Sequence, residues 1–323
     1  NIDKPDQLVD VLLVDETGER EPDARSPQRW SLNHVPAITQ RFRKVHAAQV
    51  RQFHAANPGR FNRIPRAHDG GIGYRGQAGV EVAARVFRLL DPDIQVERKV
   101  DEGARVEAGT SLVHVSGSAR TILAGERTAL NFLGRMSGIS QATATGVAQL
   151  NGTRARLVAT RKTTPGLRML EKWAVLSGGG ESHRFGLDDG ILIKDNHVAL
   201  AGGVVEALKR VQQGAPHLIK VELEVDNLQQ MDEILKVLET DQSLRLDAML
   251  LDNFTPAQLR QAVERVQGRF VLEASGGLTL DRLSEVAASG VDLISLGALT
   301  HSVKNFDVAL DVIESRVPTS AVH

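Results

Sequence analysis

Residues 159–197 concentrate the side chains of this sequence that could do chemistry. The segment holds Ala-Thr-Arg-Lys-Thr-Thr-Pro-Gly-Leu-Arg, then Gly-Gly-Gly-Glu-Ser-His-Arg-Phe-Gly, then Ile-Leu-Ile-Lys-Asp-Asn-His. Arg161, Lys162, Arg168, His183, Arg184 and Lys194 all stand within it. Arg161-Lys162 and Lys194 each follow a short apolar run, which puts cations at the ends of buried strands. Arginine can grip a carboxylate or a phosphate in a two-pronged fork. The segment therefore predicts a pocket for a ligand with several negative charges.

The elements that must position these residues form a regular series. After about residue 153, β-rich runs at 156–160, 191–193, 218–224, 248–251, 270–274 and 293–296 alternate with amphipathic stretches near 166–177, 203–213, 227–239, 256–267 and 279–289. That alternation predicts a parallel sheet, either a barrel or a doubly wound sheet. No G-x-G-x-x-G follows the first run, which weakens a dinucleotide-binding reading. Every run ends on a residue able to do chemistry. In order these are Arg161-Lys162, Lys194-Asp195-Asn196, Glu222 with Glu224, Asp252-Asn253, Ser275-Gly276-Gly277 and Gly297-Ala298. In an α/β barrel the C-terminal strand ends form the active face, so six such ends in succession read as one site.

The residue types sort along the series. The first two ends are mainly cationic, the middle two carboxylate, the last two small. Cations suit an acid or phosphate. Glu224 and Asp252 suit Mg²⁺, bound directly or through water. Small residues at strand–helix junctions suit a terminal phosphate. The expected ligands are a polyanionic acid, a phosphorylated sugar and Mg²⁺. His183, beside Arg184, reads as a ligand donor, whereas His197 reads as structural. Met169 and Trp173 read as packing residues.

The bulk numbers narrow the class. The chain has 323 residues, 41% hydrophobic and 24% charged, with a net charge of −1. Any attraction for anions must therefore be local. There is no cysteine, which excludes disulfides, thiolate metal sites and cysteine nucleophiles. No apolar run reaches the roughly 20 residues of a membrane span, and the first residues do not resemble a signal peptide. A cytoplasmic enzyme is the expected class.

Residues 1–30 are polar and expected to be poorly ordered. Residues 25–66 hold nine Arg or Lys and no Asp or Glu, with His34, His46, His54 and His68 in or just after the stretch. A helix over 41–53 fits, with Phe42, Val45, Val50 and Phe53 apolar. Aromatic interleaving is sparse, so the stretch reads as a solvated face against a partner subunit. Nucleic-acid binding is the rival reading. A helix is expected over 77–91, short strands within 94–117 (94–97, 104–109 and 111–117), and a helix over 126–149. The spacing of Glu102-Gly103, Val106 and Gly109 resembles the hammerhead strands of lipoyl-type domains. No lysine stands at a hairpin turn to carry a cofactor, so this piece reads as structural.

Seven motifs together are specific: Glu126-Arg-Thr-Ala-Leu-Asn-Phe-Leu, Arg161-Lys-Thr-Thr-Pro-Gly-Leu-Arg, His183-Arg-Phe-Gly-Leu, Leu192-Ile-Lys-Asp-Asn-His, Leu250-Leu-Asp-Asn, Glu273-Ala-Ser-Gly-Gly and Ser295-Leu-Gly-Ala-Leu-Thr-His-Ser. On them the chain resembles the quinolinate phosphoribosyltransferase family over roughly 76–314. The resemblance implies an α/β fold with an N-terminal α/β sandwich domain (31–125, joined by about 300–323) and a C-terminal open α/β barrel of fewer than eight strands (126–299). It implies transfer of phosphoribose from phosphoribosyl pyrophosphate to quinolinate with decarboxylation, in NAD biosynthesis, by a homodimer whose sites are shared between subunits. By motif, Arg127 corresponds to the arginine donated across the interface. Arg161, His183, Arg184 and Lys194 correspond to quinolinate-binding cations. Lys162, Glu224 and Asp252 correspond to the groups around ribose, pyrophosphate and Mg²⁺. Asn196, Ser275, Gly276, Gly297 and Ala298 correspond to the phosphoribosyl and phosphate-binding groups. The family's acidic Glu-Asp…Gly-Asp-x-Thr segment is missing, and Ser182 replaces an asparagine. A relative acting on another pyridine or heterocyclic acid is the alternative activity.

Overall fold

The computed structural model describes residues 77–107 and 109–311. The polar segment 1–30, the basic stretch 25–66 and the tail beyond 311 lie outside the described residues.

The N-terminal elements are small. Helix α1 (Val80–Leu90) buries Val80, Ala83, Ala84 and Phe87. Strands β1 (Gln95–Arg98) and β2 (Val113–Ser116) pair antiparallel, Val96 opposite Val115. Among the described residues of the strand expected over 104–109, only a single bridge at Arg105 forms. Gly103 and Gly109 have φ of 79° and 81°, and that left-handed backbone turns the chain instead of extending it. Helix α2 (Ala119–Gln149) starts seven residues before the expected position, because the Ser118 side chain caps it by accepting from the Thr121 amide. Its first half closes a minor core with Val80, Phe87, Ile94, Ala129 and Leu133, and Val308 and Leu310 from the chain's C-terminal part pack there. The 304–306 backbone crosses α2 at Gly134 and Gly138, where a Cβ would collide with the carbonyls of Phe306 and Lys304.

The second half of α2 covers the sheet. Seven parallel strands lie in the order β4-β3-β9-β8-β7-β6-β5. They are β3 (Arg156–Ala159), β4 (Glu181–Ser182), β5 (Ile191–Ile193), β6 (Val221–Val225), β7 (Ala248–Asp252), β8 (Val271–Ser275) and β9 (Leu293–Ser295). Between them run α3 (Arg168–Ser177), α4 (Asp195–Ala201), α5 (Val204–Gly214), α6 (Leu228–Thr240), α7 (Pro256–Val266) and α8 (Leu283–Ala287), with α9 (Ala298–His301) last. The stretch expected as one helix over 279–289 divides into a 3₁₀ turn (Leu280–Arg282) and α8. Alternation decides the faces: Val221, Leu223 and Val225 enter the main core, leaving Glu222 and Glu224 on the opposite, inward face of the curled sheet. Among the described residues β4 pairs only with β3 and β5 only with β6, so the barrel is open between β4 and β5. The segment 183–190 joins these two free edges. Because all strands are parallel, their C-terminal ends share one rim. No described helix is long and apolar enough to cross a membrane.

Candidate active site

The loop after β3 carries the first cations, and three helices fix its backbone. Arg135 of α2 donates to Glu171 Oε1 of α3 from Nε at 2.9 Å and from Nη2 at 2.6 Å. The same Nη2 reaches Thr164 Oγ1 at 2.7 Å and the Thr300 carbonyl at 3.1 Å. Glu171 Oε2 accepts the Thr164 amide at 3.0 Å, and Thr300 Oγ1 donates to the Lys162 carbonyl at 2.7 Å. Arg168 ties the same loop to the next one, donating to Thr163 Oγ1 and to the Phe185 carbonyl, each at 3.1 Å. Glu171 is 1% exposed. Replacing it with alanine is expected to lower stability by about 3 kcal/mol, since Arg135 loses the partner of a buried ion pair. The urea unfolding midpoint checks this.

Arg161 and Arg184 act on one another as like charges at the rim. Burial, and next the neighbouring Arg161, hold the Arg184 guanidinium below its usual range. Arg184 Nη1 donates to the Gly190 carbonyl at 3.2 Å. Its Nε is buried without a hydrogen-bond partner among the described residues. A buried donor of a charged group left unpaired is costly, and two guanidiniums of like charge add repulsion. A bound carboxylate would relieve both.

Lys194, at the end of β5, donates to Glu224 Oε2 of β6 at 2.5 Å. Asp252 ends β7. Burial raises its pKa, Asp226 and Asp195 add like charge, and Lys194 and Lys162 oppose them. Asn253 Nδ2 donates to Asp252 Oδ2 at 2.7 Å, and the Asn253 amide donates to the Ser275 carbonyl at 2.9 Å. Gly276, with φ 85°, must be glycine twice over, because a Cβ there would also sit 2.6 Å from Asp252 Oδ1. Ser295 Oγ donates to Ser275 Oγ at 2.9 Å. Lys162 lies over Gly297, where a Cβ would stand 3.1 Å from Lys162 Cδ. Ala298 opens α9 directly after it.

One layer below the rim lies a polar cluster inside the sheet. His183 Nε2 stands 3.1 Å from Glu222 Oε2 and 3.1 Å from Glu273 Oε2. Burial opposes a charge on His183, but the two carboxylates outweigh it and push the pKa up to about 9. Burial, then the proximity of Glu273, raises Glu222, while His183 and Arg184 pull it down. Lys172 of α3 is buried beside this cluster; burial first and Arg168 next lower its pKa to about 8. Its Nζ donates to Ser182 Oγ at 3.0 Å and to the His183 carbonyl at 3.1 Å.

The structure thus gathers Arg161, Lys162, Arg184, Lys194, Glu224, Asp252, Ser275, Gly276, Gly297 and Ala298 at one rim. Asn196 sits exposed in the first turn of α4. Glu222 belongs one layer down with His183. Arg127 is exposed on α2, and among the described residues no hydrogen bond or ion pair joins it to this rim. His197 is structural as expected: its Nδ1 accepts the Lys194 amide at 2.9 Å. Trp173 packs against the main core. Sequence reasoning missed Arg135, Glu171, Lys172 and Glu273. Only Glu273 left a signal: it alternates with Ser275, as Glu222 does with Glu224, so both faced inward on one strand.

Comparison with known proteins places the chain in a family. The sequence profile of the quinolinate phosphoribosyl transferase N-terminal domain matches residues 77–137, and that of the C-terminal domain matches 139–311. The nicotinate-nucleotide pyrophosphorylase [carboxylating] of Mycobacterium leprae is 45% identical over 240 residues, covering 73% of this chain and 82% of that protein. The probable nicotinate-nucleotide pyrophosphorylase [carboxylating] of Bacillus subtilis is 40% identical over 235 residues, covering 73% of this chain and 79% of that protein. The crystal structure of NadC from Streptococcus pyogenes superposes with a TM-score of 0.67 at 38% identity, covering 73% of this chain and 81% of that one. Two domain profiles that together span most of the chain, the relatives at this identity and the shared open barrel agree, and the chain belongs to the quinolinate phosphoribosyltransferase family.

Proposed function

We propose that this rim joins quinolinate to phosphoribosyl pyrophosphate, releasing pyrophosphate and CO₂ and leaving nicotinate mononucleotide; the reading is supported by relatives named nicotinate-nucleotide pyrophosphorylase [carboxylating] and quinolinate phosphoribosyltransferase [decarboxylating]. The observation that carries the reading is the pair of like charges Arg161 and Arg184, the latter with a buried Nε that has no hydrogen-bond partner among the described residues, beside the Lys194–Glu224 pair. That arrangement wants a dianionic acid. Arg161, Arg184 and Lys194 grip its two carboxylates, and His183 lies directly beneath Arg184. Arg127, exposed on α2 and joined to this rim by no hydrogen bond or ion pair among the described residues, reaches the acid from the other subunit of a homodimer.

Chemistry then divides among the remaining residues. The ring nitrogen of quinolinate bonds to the anomeric carbon as the bond to pyrophosphate breaks. Positive charge develops on the ribose, and the carboxylates of Glu224 and Asp252 stabilise it. Lys162 holds the leaving pyrophosphate. Ser275, Gly276, Gly297, Ala298 and Asn196 bind the phosphoribosyl part through small residues and free amides. The donor set fits Mg²⁺: Glu224 and Asp252 offer hard oxygen ligands, and Asp226 and Asp195 crowd Asp252 with charge that a divalent cation relieves. When bound, Mg²⁺ neutralises charge on the pyrophosphate. Once the ring nitrogen is quaternary, the bond from the ring carbon to the carboxylate beside it breaks, CO₂ leaves, and the electron pair left on that carbon takes up a proton from water; the protein mainly orients the reactants. The enzyme is proposed to work in the cytoplasm.

The test is turnover with quinolinate against nicotinate, following pyrophosphate and CO₂ together. Equal amounts of both products with quinolinate, and none with nicotinate, is the expected result. Reaction with nicotinate alone would instead mark a relative that does not decarboxylate.

A further inference from the structure

His183 has every polar atom engaged by its own chain. Its amide donates to the Ala159 carbonyl at 3.3 Å. Its carbonyl accepts from Lys172 Nζ at 3.1 Å and from Ser182 Oγ at 2.9 Å. Its Nδ1 accepts the Arg184 amide at 2.7 Å, and its Nε2 faces Glu222 and Glu273. No polar atom remains for a substrate carboxylate. The Arg184 amide at Nδ1 favours the ring with its single proton on Nε2, and the two carboxylates favour the charged ring; both forms keep an N–H on Nε2 facing Glu222 and Glu273.

The place of this contact in the sheet gives it a purpose. His183 follows β4, a two-residue edge strand held on one side only. Glu222 and Glu273 belong to β6 and β8, which lie across the interior in the strand order. The His183 contact thus ties the free edge to the far strands at the gap where no ladder closes the barrel. Arg184 is the next residue, and its backbone amide is part of the tie. Glu273 is 1% exposed, and its Oε2 has no hydrogen-bond partner among the described residues; the ion pair with His183 at 3.1 Å is what compensates that buried oxygen.

We propose that Lys172, Glu222 and Glu273 are positioning residues for acid recognition: they lock His183 as a strut across the open barrel, and the strut fixes the direction of Arg184. The acid is met by Arg184, not by His183. This rests on the reading above that Arg184 binds the acid.

The experiment uses the full chain and steady-state kinetics with each substrate varied. Glu273→Gln is nearly isosteric and removes the charge. It is expected to raise KM for quinolinate roughly 10-fold to 100-fold, the scale of a misplaced binding group. KM for phosphoribosyl pyrophosphate and kcat should stay within about twofold. Glu222→Gln is expected to do the same and serves if Glu273→Gln does not fold. Arg184→Gln should raise the quinolinate KM, and the Arg184→Gln/Glu273→Gln pair should be no worse than Arg184→Gln alone. Full additivity, or equal damage to both KM values and kcat, overturns the positioning role while leaving the acid-binding reading intact. An unchanged quinolinate KM in Arg184→Gln overturns both at their common root. A stoichiometric metal ion retained by the wild-type chain and lost in Glu273→Gln overturns the inference differently, by making the three residues ligands.

Discussion

Arg127→Ala is expected to reduce turnover about 10³-fold and to regain it when mixed with a second inactive variant, Lys162→Ala. The argument is geometric. Arg127 lies on the exposed surface of α2, and among the described residues no hydrogen bond or ion pair joins it to the rim cations. If two chains exchange this arginine, a mixed dimer has one site with both defects and one with neither. Random exchange at equal amounts makes half the dimers mixed, so about a quarter of the sites recover. Activity rising to about that fraction, with the time course of subunit exchange, supports the shared site. Activity that stays at the level of the separate variants, although mixed dimers are seen by mass spectrometry, sinks it.

Glu224→Gln should separate binding from chemistry. Glu224 is buried and holds Lys194 at 2.5 Å. Loss of the negative charge removes stabilisation of the ribosyl cation, so kcat should fall by about 10²–10³, the effect of removing one preorganised charge partner from a transition state. Lys194, released from its carboxylate, keeps its charge for the acid. Quinolinate Kd should therefore stay within about threefold or tighten, as the amide cannot compete for the ammonium as a carboxylate does. Isothermal titration with quinolinate, alongside single-turnover rates, gives both numbers. A parallel loss of affinity and rate would assign Glu224 to the acid and remove it from the chemistry.

The fold was legible where periodicity was strong. The inward carboxylates Glu224 and Asp252 could be placed because parallel strands buried on both faces still alternate, and a charge amid Val and Leu must face something polar. β4 could not be read, since two residues carry no period. The start of α2 was missed because Ser118 is the only marker of the cap, and a serine after a strand is common. On α3, Glu171 and Lys172 carried no local signal of burial, since such residues ordinarily face solvent. Both are buried, because the active-site loop, β4 and the residue after it lie over that face and supply Thr164, Ser182 and His183 as partners. Partners from distant segments are what a local pattern cannot contain. Glu273 is the intermediate case. Its face was readable, its partner was not.

The gap between β4 and β5 has a consequence for how the activity can diverge. Arg184 and Lys194, the residues proposed to grip the acid, flank the seam that no strand ladder crosses among the described residues, whereas Glu224, Asp252, Ser275 and Gly297 stand on or beside the continuous strands from β6 to β9. Insertions or exchanges in the 183–190 segment can therefore reshape recognition of the acceptor without disturbing any ladder that supports the sugar-phosphate half. A chain built this way can change which ring it modifies by editing one short connection while its donor chemistry is inherited intact.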